Sequence, residues 1–463
     1  MKSRFFSRLV AFALLLMAFS LMSLDIAAQS KKDQKRSLEL IKNGDKAFSQ
    51  KNYRFALDSY SQAATLTPNN AYAHYRKGFA HYYLKEADLA IPEFDIALAK
   101  GYKPVEIYRV RWLLLYEKKN FKAAAQDLNQ LVASEPDNAD YRIALADINY
   151  DSGSYKEAAD GYQKAILKNP NRGDLFYKLA LAKSKLGDIE GQASAAEEAI
   201  KKNTLFLAES YLLIADARQK QKRNAEAIAA YESAIKSKPD LNSAYRNLGE
   251  LYRAENRINE AIEISKAGLR IFPNDGNIFT DITWFYSLAE KTEEAIEAGR
   301  AATRLLPNQA LGYTNLCRAY NEAKKPEMAI NACNTALRLS PNDGETNFYI
   351  GRSNALLQKP AEANKYYKRA VVGLIDFTNN NPDYSDGFYL LGNAYAEDGQ
   401  SAKALEAYKK CLELNPRFAK AQFNIGVIFI GKKDKNGAME QYNALMNTDK
   451  VLAGKLKVEI DKL

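Results

Sequence analysis

Histidine is almost missing from this chain: two in 463 residues, His74 and His81, both inside the stretch AYAHYRKGFAHYY. A metal shared by that pair is not expected, because a seven-residue offset spans roughly 10 Å of helix axis and chelation on a helix wants neighbours one turn apart. Cysteine is scarce as well. Cys317, Cys333 and Cys411 come late, with no CxxC and no Cys/His zinc spacing, so neither a zinc module nor a disulfide framework is expected. Nucleophile elbows, phosphate loops, HExxH and calcium-type D-x-D-x-D-G loops are absent, and no non-repeat segment is large enough for a separate catalytic domain. These absences point away from an enzyme, a metal and a cofactor. Proline and glycine are few, 13 and 23, while apolar residues make up 47%, so no large part reads as disordered.

Long apolar runs are confined to one place. Lys2, Arg4 and Arg8 precede an uncharged run from Leu9 to Leu24, and Ala27-Ala28-Gln29 follows. That order is the charged, apolar, small-residue sequence of a secretory signal, so residues 1–28 are read as a signal peptide cleaved after Ala28. A retained N-terminal anchor stays open. No cysteine lies at the cleavage site, which argues against a lipoprotein. The expectation is an exported bacterial protein, periplasmic or envelope-associated, with residues 29–36 as a short basic linker. Removing the signal leaves 63 basic against 55 acidic residues, a net charge of +8 instead of +10. So mild a surplus aids solubility and does not imply nucleic acid.

What the chain does have is a period. Pro136 and Pro170 are 34 residues apart, Pro68 lies two such steps before Pro136, and after a gap one residue longer than two periods Pro239, Pro273, Pro307 and Pro341 follow at steps of 34. Alanines form a second column: Ala56, Ala90, Ala124 and Ala158, then Ala227, Ala261, Ala295, Ala329 and Ala363, then Ala404 and Ala438. The spacing from Pro341 to Pro416 exceeds two periods by seven residues, in the region VVGLIDFTNNNPDY. Each unit reads as two amphipathic helices, a short polar turn between them and a proline that stops the second.

In SDGFYLLGNAYAEDGQSAKALEAYKKCLELNPRF, the residues Phe388, Leu391, Gly392, Tyr395, Ala404, Tyr408 and Pro416 stand in the columns of the tetratricopeptide repeat. The chain resembles that family over nearly all its length after the signal. The resemblance implies an all-α, right-handed superhelical solenoid of about twelve helix-turn-helix repeats. Repeats 1–5 are placed at 37–207, repeats 6–10 at 208–384 with an extended loop near 371–384, repeats 11–12 at 385–452, and a C-terminal capping helix at 453–463. It also implies a concave groove lined by the first helices, of the kind that holds extended peptides or helices of partner proteins. The fifth repeat departs from the pattern with Gln192 in the alanine column, and the third with Trp112 where a small residue is preferred.

Candidate contacts follow from that register. Tyr72, Tyr75, Phe79, Tyr82 and Tyr83 share roughly 100° of helix arc, and Arg109 and Tyr116 continue the stripe in the next repeat. Two readings stand: a partner-binding aromatic patch, or rings packed on one another and on adjacent helices. Further along, Asp140, Asp147, Asp151, Asp174, Glu209 and Asp216 form an acidic groove column suited to a basic segment, or else a solvated face. Asn247, Asp281, Asn315 and Asn424 repeat as a ladder able to bond a peptide backbone, or as ordinary surface amides. Lysines gather at the turns within repeats, a basic rim for anionic headgroups or simply cations favoured at helix ends. Cys317 and Cys333 fit as small apolar filling, with a disulfide left open. The functional expectation is a scaffold or adaptor for protein or peptide partners in envelope assembly, secretion or regulation. The alternatives are a membrane-attached assembly subunit and an enzyme or a small-molecule- or metal-binding protein using the acidic groove. Nucleic acid is not an expected partner, peripheral envelope association stays open, and oligomeric state is not legible.

Overall fold

The computed structural model describes residues 30–463, and the signal segment expected at 1–28 lies outside them. Among the described residues there are helices and turns and no strand. The chain divides into two compact units, one ending at Lys222 and the other running from Arg223 to Leu463. The division falls between the two helices of the sixth pair, Leu207–Lys220 and Asn224–Ser237, whereas the repeat groupings above follow pair boundaries.

In the first unit, residues 30–49 form one helix. Residues 30–36 are therefore its first two turns and not the linker expected from their charge. Lysine, glutamine and arginine are good helix formers, and Ser37 and Ile41 are buried, so the helix is held by its own packing face. Four helix pairs follow the first: Ala71–Tyr83 with Ala87–Ala99, Val105–Glu117 with Phe121–Ser134, Ala139–Asp151 with Tyr155–Lys168, and Gly173–Lys185 with Ile189–Lys201. The turn inside each pair pivots on one residue in the left-handed region, at Lys51, Lys85, Lys119, Gly153 and Gly187, at 34-residue intervals. Ala56, Ala90, Ala124 and Ala158 are fully buried, because the two helices of a pair cross there too closely for a larger side chain. Gln192 occupies that column in the fifth pair and is also buried; its amide donates to the Leu213 carbonyl and to Asp216, each at 2.8 Å. Trp112 is accommodated by a size exchange: it packs against the cluster that holds Leu128, where the preceding pair has Phe94 against Gly78.

The second unit continues the same pairing, with first helices Asn242–Ala254, Gly276–Leu288, Ala310–Glu322, Gly344–Leu356, Ser385–Glu397 and Ala419–Gly431. Helix Lys450–Ile460 covers the last pair with Ala453, Leu456 and Ile460. Gly351 and Gly392 face Tyr367 and Tyr408 so closely that an added Cβ would stand 2.6 and 2.4 Å from the rings. The seven extra residues of the tenth repeat are helical. Helix Pro360–Asn380 runs 21 residues against 14 for Pro326–Leu339, so 371–380 is not the extended loop expected there. Its buried stripe, Tyr367, Ala370, Val371, Leu374 and Thr378, continues through the added turns. No described helix is long and apolar enough to cross a membrane.

Candidate functional site

The aromatic stripe of the first unit is largely spent on packing. Tyr75, Phe79 and Tyr82 lie against the core cluster of Phe94, Ile107 and Leu114. The rings contact one another edge-on or tilted, with Tyr72 to Tyr75 at 5.7 Å and Tyr75 to Phe79 at 5.1 Å. Tyr72 also donates to Asp45 at 3.3 Å. Tyr83 alone of the five is exposed, and it stacks on Tyr53 at 4.8 Å. The two histidines on the neighbouring face bind carboxylates, His74 with Glu93 and His81 with Glu86, each at 2.7 Å. Arg109 pairs with Glu135 at 2.5 Å, and Tyr116 donates to Asp151 at 2.6 Å, a bond that together with burial pushes the phenol up to about 12.

The acidic column is not an open negative field. Asp147 accepts from Lys178 at 2.8 Å and from Tyr162 at 2.7 Å. Asp151 is taken by Tyr116, Asp174 by Arg172 at 2.8 Å, and Asp216 by Gln192 and Lys220. Asp140 stays mostly exposed, 3.7 Å from Arg172. Internal cations thus pair with Asp147, Asp174 and Asp216 and remove part of the charge expected to attract a basic segment, while Asp151, held by a neutral phenol, and the exposed Asp140 keep theirs. Among the described residues, no group of three or more His, Cys, Asp or Glu is placed to hold a metal ion.

The concave side of the second unit holds a cavity of about 1060 Å³. Its wall is built from one face of five successive first helices. One column runs Asp281, Asn315, Tyr349, Leu390 and Asn424, and the next runs Trp284, Arg318, Arg352, Asn393 and Val427. Residues three and four apart on each helix supply them, as one helix face requires. The asparagine ladder is therefore partly here. Asn315 lines the cavity while its amide donates to the Thr280 carbonyl at 3.0 Å, and Asn424 donates to Asn393 at 2.9 Å. Asn247 is exposed and not part of the wall.

The added turns of helix Pro360–Asn380 contribute Leu374, Asp376, Phe377 and Asn380, and the following turn contributes Tyr384. Sequence reasoning missed this wall, although its signal, seven residues beyond the period, was visible. Two glycines seat it: a Cβ on Gly373 would stand 2.4 Å from the Asn342 carbonyl oxygen and 2.8 Å from the Gly344 Cα. Only a backbone without side chains at both positions allows that approach.

Charges are layered around Trp284, which lines the cavity. Arg253 stacks over its ring at 4.2 Å and Arg318 at 5.2 Å. Arg318 donates through Nε to the Tyr349 hydroxyl at 2.6 Å and through Nη2 to Glu345, while its Nη1 is buried with no partner. Burial works against the Arg318 charge, and Glu345 and Tyr349 more than offset it. Glu322 is pushed up by burial, against the pull of Arg318, Lys420 and Arg352. Lys420 is pulled down by burial. Arg352 and Lys420 are in no ion pair. Behind this wall, Cys317 and Cys333 are joined by a disulfide with Cα atoms 5.4 Å apart, fixing helix Ala310–Glu322 to its partner helix. Small apolar filling was the simpler reading, and spacing alone could not exclude the bond.

Tetratricopeptide-repeat patterns match residues 44–84, 113–174, 212–276 and 385–418. A 60-residue stretch is 40% identical to the UDP-N-acetylglucosamine–peptide N-acetylglucosaminyltransferase of Giardia intestinalis, and the match spans 13% of this chain and 4% of that protein. Among solved structures, the APC/C hetero-tetramer Cut9-Hcn1 aligns over 92% of this chain and 96% of that one, at 14% identity and a TM-score of 0.36. Naa15/Naa10 bound to HypK-THB aligns over 96% and 95%, at 12% identity and a TM-score of 0.40. A tetratricopeptide repeat protein from Parabacteroides merdae aligns over 55% and 98%, at 13% identity and a TM-score of 0.40. The described residues thus form an all-α array of helix pairs, and tetratricopeptide repeats are matched directly at four places along it.

Proposed function

We propose that the protein is an exported, non-catalytic binding scaffold that holds an extended segment of a partner polypeptide in the concave cavity of its second unit. The observation that carries this reading is the unspent polar chemistry of the cavity wall: the Arg318 Nη1 without a partner, and Arg352 and Lys420 outside any ion pair. A polypeptide segment offers carbonyl oxygens to those donors and N–H groups to Glu322, Asp376 and the asparagine carbonyls, while its side chains meet Phe377, Tyr384 and Tyr389. The volume exceeds what one side chain fills. Export is supported by the basic, apolar, small-residue order of the N-terminus and by the Cys317–Cys333 bond, which suits an oxidising compartment.

The test is a selection of displayed peptides on the folded chain, repeated on a double variant Arg352→Glu, Lys420→Glu. Peptides selected by the parent chain are expected to lose at least about ten-fold in affinity on the variant, roughly the 1.4 kcal/mol of one charge-assisted bond. Peptides that bind both proteins equally would remove the cavity from the proposal.

A further inference from the structure

The first unit carries a second surface, unrelated to that cavity. Its first three turns place Lys51, Lys85 and Lys119 in the left-handed backbone region, at φ 62°, 65° and 58°. The next two turns of the same unit place Gly153 and Gly187 there, at φ 83° and 73°. Turn geometry therefore does not ask for lysine, which meets a steric penalty in that region that glycine escapes. The dipole at a helix end favours a cation, but it would do so equally at the two glycine turns. None of the three ammonium groups is in an ion pair.

The three turns adjoin. Tyr53 of the first stacks on Tyr83 of the second, Arg54 pairs with Glu86 at 3.2 Å, and Lys118 of the third pairs with Asp88 of the second at 2.6 Å. Glu86 and Asp88 are thereby paired, Glu117 and Lys122 add one charge of each sign, Asp151 beside Tyr116 keeps its charge, and Lys51, Lys85 and Lys119 leave the edge with a cationic surplus. Apolar groups stand beside them. Phe55 and Leu89, at equivalent positions one helical turn after Lys51 and Lys85, are each 53% exposed, and Tyr83 and Tyr116 are exposed on the same edge. Lone exposed side chains of this kind are ordinary; their repetition next to unpaired lysines is the informative pattern.

We infer that this edge docks on an anionic lipid surface. The lysines would meet the headgroups, Tyr83 and Tyr116 would sit at headgroup level, and Phe55 and Leu89 would enter the acyl boundary. A soluble polyanion would use the lysines and leave the phenylalanine and leucine without a role. This docking is independent of the cavity, and either proposal can fail alone.

The experiment is co-sedimentation of the full chain with vesicles of phosphatidylcholine, with and without phosphatidylglycerol. It compares the parent chain, a triple variant Lys51→Gly, Lys85→Gly, Lys119→Gly, and a double variant Phe55→Ser, Leu89→Ser. All share one N-terminus, so any membrane affinity of residues 1–28 cancels. Glycine suits the left-handed turn, so the triple variant keeps its fold, checked by circular dichroism. Binding to the anionic vesicles is expected to fall on the order of a hundred-fold in the triple variant, at about five-fold per lysine, and to weaken with salt. The double variant is expected to lose several-fold at unchanged charge. The inference is overturned by equal binding of the parent and triple variant. It is also overturned by a double variant that binds as the parent does, which would make the edge a general polyanion site.

Discussion

Arg253 and Asp386 stand 133 residues apart in the chain and meet through two hydrogen bonds of 3.2 Å. The pair joins the first helix of one repeat to that of a repeat four places on, so it spans the concave side of the second unit. In an array whose repeats contact mainly their neighbours, such a bond is unusual. The other face of the Arg253 guanidinium rests on Trp284, and Glu250 takes its remaining donors at 2.7 and 2.9 Å.

Asp386→Ala should therefore destabilise the chain by about 1.5–3 kcal/mol, the range for a bond to a charged group, and not more, because Glu250 still neutralises Arg253. Urea denaturation of the single variants and of the double variant with Arg253→Met checks it. An additive double-mutant cycle would show that the two side chains do not interact.

Gly373→Ala should lower stability by about 1–3 kcal/mol through overpacking against the Asn342 carbonyl and Gly344. The sign is the test. Glycine to alanine inside a helix ordinarily stabilises by about 0.5–1 kcal/mol, so a rise in Tm would mean the two backbones are not in contact.

Reducing the Cys317–Cys333 bond should cost about 3 kcal/mol for its sequence separation of 16, read as a lower Tm with reductant. Thiol titration offers a separate check. Cys411 is fully buried and its thiol pKa is pushed up by burial, so the native protein should show no reactive thiol, the denatured protein one, and the reduced, denatured protein three. Three thiols without reductant would remove the disulfide.

Asp188 caps helix Ile189–Lys201, and its carboxyl is held below the usual range by Lys183 and by the Gly191 N–H. A depressed carboxylate stabilises the fold above the ordinary aspartate pKa, and that stability is lost as pH falls through the lowered value. Asp188→Ala should thus cost about 1 kcal/mol at neutral pH. The gap to the parent should close on acidification through that window, as measured by urea titrations at a series of pH values. A gap that stays constant would assign the loss to helix propensity.

The repeat was legible because its constraints fall on single positions. The Ala56 column must be small where two helices cross, and the Pro136 column must stop a helix, so each leaves a letter every 34 residues. The ring stripe at Tyr72 to Tyr83 was equally visible, but pattern alone could not tell an open patch from rings seated on Phe94 and Ile107. Charge pairing was harder still. Asp147 and Lys178 are 31 residues apart and meet only because adjacent first helices align, so counting acids on one face overstated the field. The cavity lay furthest from the sequence, since its wall combines five helices with turns that a 34-residue template registers as an irregularity.

That irregularity is a matter of phase. Seven added residues turn a helix through two revolutions less roughly 20°, so Leu374 and Thr378 emerge on the side already facing inward at Tyr367 and Ala370. An addition of five residues would have swung the same side chains to the opposite side of the helix. A solenoid that lengthens one rod in whole revolutions gains an inner partition while every neighbouring seam keeps its alignment. Shortening helix Pro360–Asn380 by the same seven residues is accordingly the edit that would return this array to an uninterrupted 34-residue beat.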